Sequence, residues 1–370
     1  MVMLGVAKAS GASAMVAQSD SENINKVRIV GGLETGPNAY PFLVLIKTTI
    51  STNASKGTSE SFVCGGSLIA PGWVVTAAHC VSSRLSSSPA RKKKRDKRDG
   101  SDPNEPRIVV SYGSNNRNRM KSMGIRRVIV HPQADLNLFQ NDIALIELAS
   151  EVKNLKPIKI SSAIVYRSQP VVAVGFGVTS ASDRGAVQVS RQVDLMTSDD
   201  GPSPDKEKNN LGPSSGCNMI KPGFVDNNQD VICCPVSVGK DTCFGDSGGP
   251  LIASTEGESG GSDSGSVGSE NVLIGITSFG DTDGSLQYIC GGAGGFGFYT
   301  HPSFFLGFIT NTTGLSLQDI ATNATLSRNS PTVPPPVVSK GVKVLPNQQL
   351  MPYFFQIIVL ASLILAFFDK

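Results

Sequence analysis

The chain has 370 residues, 39% of them hydrophobic, with 39 glycines and 22 prolines, a length and texture that allow a substantial core in one large or two ordinary turn-rich domains. A formal charge of +3 gives no general case for nucleic-acid binding. Seven cysteines with three N-x-[ST] sequons, at Asn53, Asn311 and Asn323, favour disulfides and glycans in an oxidising secretory route, whereas three histidines and no C-x-x-C argue against a metal site.

At the start, the apolar stretch Met1–Val6 is short and is followed by Lys8, and Ala12-Ser13-Ala14 resembles a cleavage site; residues 1–28 are read as an imperfect signal and propeptide. Strand-sized apolar runs then follow: Pro41–Lys47, Phe62–Ala70, Trp73–Ala77, Arg107–Tyr112, Ile125–Val130, Ile143–Leu148, Pro170–Gly175, Val187–Leu195, Val272–Ser278 and Gly297–Thr300. Such density predicts an all-β sandwich or barrel, with one helical segment at Ser303–Thr310. Ser82–Pro106, Asp199–Gly216 and Ser254–Asn271 are too polar for a core and read as surface insertions.

Beyond residue 314 the composition changes. Residues 315–352 read as a Ser/Thr/Pro-rich stalk that includes Pro334-Pro335-Pro336, and residues 353–368 are almost wholly apolar. Sixteen residues at about 1.5 Å each are short for a ~30 Å hydrocarbon core. With Ser339-Lys340-Gly341 upstream, the layout resembles a glycosylphosphatidylinositol attachment signal, favoured over a single-pass helix.

Gly245-Asp246-Ser247-Gly248-Gly249-Pro250 is the most informative segment. A serine hydroxyl attacks only when a base accepts its proton, and the oxyanion it creates needs preplaced N–H donors, which flanking glycines allow to come close. Val74–Cys80 supplies His79 as base, and Asn141-Asp142-Ile143 supplies a carboxylate to orient it. The chain order His, Asp, Ser distinguishes this constellation from those of other folds.

With Arg28-Ile29-Val30-Gly31-Gly32 and Cys64-Gly65-Gly66-Ser67-Leu68, these motifs resemble the trypsin/chymotrypsin family of serine peptidases over residues 29 to about 312. The resemblance implies two antiparallel β-barrels over residues 29–314, joined near Leu155–Val165 and closed by a short C-terminal helix. It implies that Ser247 attacks, His79 shuttles the proton, Asp142 holds the imidazole, and the amides of Gly245 and Ser247 form the oxyanion hole. It puts Asp241 at the floor of the primary pocket, with Ser278, Gly280 and Gly297 around it, hence cleavage after Arg or Lys. Cutting after Arg28 by another trypsin-like protease would free the Ile29 amine to pair with Asp246. The implied disulfides are Cys64–Cys80, Cys243–Cys290 and Cys217–Cys233, with Cys234 as the alternative partner of Cys217; one cysteine is left over. No cofactor is implied.

Two features depart from that pattern. Arg91–Arg98 holds seven basic residues in eight, read as a solvated loop, a processing site or a polyanion-binding exosite, the last gaining support from six cations and no acid over Arg107–Arg127. That absence of acids also argues against a calcium loop. The whole reads as a membrane-anchored extracellular or cell-surface endopeptidase; the alternative is a catalytically inactive peptidase-like binding or adhesion protein.

Overall fold

The computed structural model describes residues 30–53, 58–82, 106–178, 187–202, 216–257, 269–282 and 290–331. Arg28, Ile29, the Arg91–Arg98 run, the proline stretch and the apolar tail lie outside the described residues, as do the central parts of the three insertions.

A two-residue strand β1 (Leu33–Glu34) pairs with the second half of the molecule. The first half is built from β2 (Leu43–Asn53), β3 (Thr58–Ala70), β4 (Trp73–Thr76), β5 (Arg107–Tyr112), β6 (Lys121–Val130) and β7 (Ala144–Leu148), which close as a barrel in the order β2-β3-β4-β7-β6-β5. Because side chains alternate across a strand, β5 buries Ile108 and Val110 while Arg107 and Val109 face outward. Val44, Ile46, Leu68, Val74, Leu145 and Ile146 fill the same interior.

The second half comprises β8 (Ile160–Ser161), β9 (Pro170–Gly175), β10 (Arg191–Met196), β11 (Val231–Pro235), β12 (Pro250–Ser254), β13 (Asn271–Thr282), β14 (Gly295–Thr300) and β15 (Ala321–Thr322), with a single turn of helix, α1 (Cys217–Ile220). They supply the second β half that the expected fold calls for. These strands and β1 form one nine-stranded sheet, ordered β1-β10-β9-β12-β13-β14-β11, and β8 joins it through parallel pairings with β13 and β15. The sheet curls on itself, and the chain leaving β10 meets its far edge where the Ser198 amide donates to the Cys233 carbonyl at 2.7 Å.

Strand β9 is buried on both faces. Val172 and Val174 pack into the core of the first half, while Val171 and Ala173 pack into that of the second.

The predicted C-terminal helix falls on a 3-10 turn, Pro302–Phe305, running into α2 (Leu306–Thr313), which stops at Gly314 with a left-handed φ of 72°. The chain then stays on the domain instead of leaving at once as a stalk. Ser316 and Asp319 make a reciprocal cap for α3 (Leu317–Ile320), β15 pairs with β8, and Ile320 and Leu326 are both buried. Ser327 donates to the Ser254 carbonyl at 2.7 Å. These contacts make residues 315–331 part of the folded body, so a stalk can start only further along the chain.

Candidate active site

A cleft of about 1000 Å³ runs between the halves, and His79 and Ser247 both line it. His79 comes from a 3-10 turn, Ala78–Cys80, at the end of β4, pinned to β3 by the Cys64–Cys80 disulfide. Cys64, His79 and Cys80 are close enough to suggest metal ligation, but both sulfurs are spent in that disulfide.

Asp142 is wholly buried beside this turn. Its Oδ1 accepts from the His79 amide at 3.0 Å, and its Oδ2 lies 2.8 Å from His79 Nδ1. That contact assigns the proton to Nδ1 and leaves Nε2 as the basic atom. The Ser278 hydroxyl donates to Oδ2 at 2.5 Å, and Thr300 Oγ1 donates to the Asp142 carbonyl at 3.0 Å. Burial pushes the carboxyl up, but the hydrogen bonds and charge of His79 and the Ser278 hydroxyl outweigh it and hold Asp142 below its usual range. Ser278, expected among substrate-binding residues, does line the cleft, yet its hydroxyl is engaged with Asp142.

Ser247 is half-buried, and its carbonyl accepts from the Gly65 amide at 2.7 Å. In the turn around it, the Asp246 amide donates to Cys243, Gly248 to Thr277 and Gly249 to Asp246. The amides of Gly245 and Ser247 are left without a protein acceptor among the described residues. Gly245 and Gly248 have φ of 97° and 75°, and a Cβ on Gly248 would lie 2.2 Å from Thr76 Oγ1. Only glycine therefore lets this turn sit against the β4 end that carries His79.

Asp246 points inward and is 1% exposed. Oδ1 accepts from the Gly177 amide at 2.7 Å and Oδ2 from the Cys243 amide at 2.9 Å. Burial raises its pKa to about 7, the two amides oppose the rise, and the charge of Asp241 adds to it. No cation among the described residues pairs with it. Gly177 was not legible in the sequence; a Cβ there would lie 2.4 Å from Asp246 Oδ2.

Asp241 is 1% exposed, one residue behind the cleft-lining Thr242, and its Oδ2 accepts from the Gly291 amide at 3.0 Å. Its own amide donates to the Val30 carbonyl at 3.2 Å. Gly280 and Gly297 face each other across the β13–β14 ladder; Gly280 lines the cleft between Phe279 and Asp281, whereas Gly297 is not among the lining residues. The Cys243–Cys290 disulfide closes another wall, and Cys217–Cys233 ties α1 to β11. Cys234 remains a free, buried thiol that burial, then the Asp241 charge, pushes well above the usual thiol range.

Sequence reasoning missed an aromatic column in the cleft. Phe139 stacks on Phe279 with ring centroids 5.0 Å apart at 23°, and Phe279 stacks on Phe298 at 4.6 Å and 11°. Phe139 also meets His79 edge to face at 5.7 Å. Its φ is +47°, a conformation that costs a bulky residue about 1–2 kcal/mol, while each aromatic pair returns about 0.5–1.5 kcal/mol. Its position three residues before Asp142 was the only available signal.

Outside the cleft, the basic stretch from Arg107 to Arg127 is less free than its sequence suggested. Arg126 and Arg127 both pair with Glu147 on the adjacent strand, at 2.7 and 2.5 Å, and Arg127 also lies over the Trp73 ring.

A family model described as Trypsin matches residues 29–303. The chain is similar to brachyurin of Leptuca pugilator, at 27% identity over 301 residues, covering 78% of this chain and all of that protein. It is similar to melanization protease 1 of Drosophila melanogaster, at 29% identity, covering 77% of this chain and 65% of that protein. It also resembles coagulation factor IX of Oryctolagus cuniculus, at 28% identity, covering 79% and 86% respectively.

Proposed function

Because the chain belongs to the trypsin family, whose members are serine endopeptidases, we propose that it hydrolyses polypeptides after Arg or Lys, that it is made as a zymogen, and that its C-terminal end tethers it to a membrane. The observation that carries the reading is the buried Asp142 bonded to His79, which opens on the same cleft as Ser247.

In this reading His79 Nε2 takes the Ser247 proton as Oγ adds to the scissile carbonyl, and Asp142 stabilises the imidazolium that forms. The oxyanion is met by the amides of Gly245 and Ser247; one such donor is worth about 3–4 kcal/mol of transition-state stabilisation. His79 then protonates the leaving amine, and water repeats the sequence on the acyl-enzyme. The preference for Arg or Lys is supported by the buried Asp241 carboxylate, one residue from the cleft-lining Thr242, and by Gly280 on the cleft wall.

Activation by a trypsin-like protease is supported by Asp246, a buried carboxylate that accepts from two amides and pairs with no cation among the described residues, and by Val30, already docked on Asp241. Cutting after Arg28 creates an ammonium one residue before Val30, the charge Asp246 lacks. The Arg91–Arg98 loop is assigned a polyanion-binding role, and the 353–368 tail a lipid anchor at the cell surface. Asn311 and Asn323 are exposed and so open to glycosylation in the secretory route.

The test is to cut the expressed chain after Arg28 and profile it on a peptide library, with Ser247→Ala as control. Cleavage after Arg or Lys that vanishes in the control supports the assignment; preference for Phe or Leu overturns the pocket. Absence of both turnover and phosphonate labelling at Ser247 would favour an inactive binding protein.

A further inference from the structure

We propose that Arg191 is a positioning residue for the activated state: its guanidinium clamps the chain at Gly32 and Glu34, and so sets how firmly the Ile29 amine released by cutting after Arg28 stays at Asp246. The proposal rests on the activation reading above.

Arg191 opens β10, and the serine chemistry makes no use of it. Its side chain is only 5% exposed, and a guanidinium taken out of water needs partners. Two of them lie on the segment that follows the cut: Nη1 donates to Glu34 Oε1 at 3.0 Å and Nη2 to the Gly32 carbonyl at 2.8 Å. The β1–β10 pairing sets Glu34 directly opposite Arg191, so one rigid fork grips a carboxylate and a main-chain carbonyl two residues earlier. Across the other edge of β10, Arg191 is paired with Gly175, where a Cβ would lie 2.1 Å from Asp246 Oδ1. Arg191 thus stands between the segment to be held and the wall of the pocket that receives its end.

The segment needs holding because Gly31 and Gly32 are consecutive glycines, and glycine loses more backbone freedom on ordering than any other residue. Gly31 has a φ of 73° and would bring a Cβ within 2.0 Å of the Gly239 carbonyl oxygen, so it cannot be exchanged for a stiffer residue. Upstream, the Asp241 amide holds the Val30 carbonyl; downstream, the Thr35 amide donates to the Ser190 carbonyl at 2.9 Å. Arg191 fixes the stretch between these two points. A hydrogen bond to a charged group shifts such an equilibrium by about tenfold or more. Asp241 and Lys240 also border the stretch, and the variants below leave both in place.

The experiment uses the full chain cut after Arg28. In a Ser247→Ala background, the rate at which cyanate labels the Ile29 amine, followed by mass spectrometry, reads how often the amine is undocked and needs no turnover. Arg191→Met should raise that rate about tenfold or more. With Ser247 present, the alkaline limb of kcat/KM on an arginine ester should move down by about one pH unit, because each tenfold loss of docking brings the amine one unit nearer its free value of about 8. Arg191→Lys reaches one acceptor of the two and should fall between the parent and Arg191→Met. Glu34→Gln keeps the Gly32 bond and should stay within about threefold of the parent. A role confined to the sheet would lower the denaturation midpoint of cut and uncut chains alike and leave both readouts within about twofold of the parent, and that result overturns the proposal. A parent amine that labels as fast as a free peptide amine removes the activation reading as well, whereas an amine that stays protected in both Arg191 variants removes the clamp alone.

Discussion

Asp246 gives the sharpest quantitative test, because its protonation couples stability to activation. In the unfolded chain a carboxyl of this kind titrates near 3.8, and in the fold it is raised to about 7 by burial. Between those values the folded chain keeps a proton that the unfolded chain has released, so stability falls as pH rises from about 4 to about 7. Three units at about 1.36 kcal/mol each give a loss on the order of 4 kcal/mol by pH 8 in the uncut chain. Cutting after Arg28 supplies an ammonium partner, which lowers the carboxyl pKa again and flattens that slope. The assay is chemical denaturation of cut and uncut chains at pH 5, 7 and 8, both carrying Ser247→Ala to prevent autolysis. The cut chain should gain relative stability steadily toward pH 8, and Asp246→Asn should abolish the difference. Parallel pH profiles for the two forms would refute the reasoning.

Other outcomes follow from the same geometry. Asp142→Asn leaves the shape but removes the charge that orients His79, and should lower kcat by about 10⁴-fold with little change in KM, read in steady-state kinetics. Asp241→Ser should cut kcat/KM on arginine substrates by at least about 100-fold while sparing apolar ones far more, as measured on a paired substrate panel. Leu326→Ala, which empties a buried position in the second core, should cost about 2–5 kcal/mol in thermal or denaturant unfolding. Cys234 should resist maleimide in the native protein and react after denaturation, because its thiol is buried and held protonated.

What could be read from the sequence was whatever local backbone demands had written there. The Ser247 turn needs glycine at fixed positions, and β5 shows its alternation openly, so both were legible. The Ser278 hydroxyl bond to Asp142 spans 136 residues and leaves no local trace. Strands β11 and β12 were overlooked because Val231–Pro235 contains a cysteine pair and Pro250–Ser254 continues straight out of the catalytic turn. Leu326 sits in a polar stretch, and long-range pairings such as β15 with β8 and Ser327 with Ser254 bring that stretch onto the domain. Likewise Glu147 lies about twenty residues from its arginines, and only the β6–β7 pairing brings them together.

Strand β9 acts as a party wall. Its valines at 172 and 174 belong to one interior and those at 171 and 193 on its neighbour to the other, so neither lobe owns a complete set of inner surfaces. Expressing residues 30–165 or 166–331 alone would leave a raw face in each fragment, and co-expressed pieces should recover activity only by reassembling across this wall. Ser247 and His79 are thus held in place by shared masonry as well as by any hinge between separate bodies.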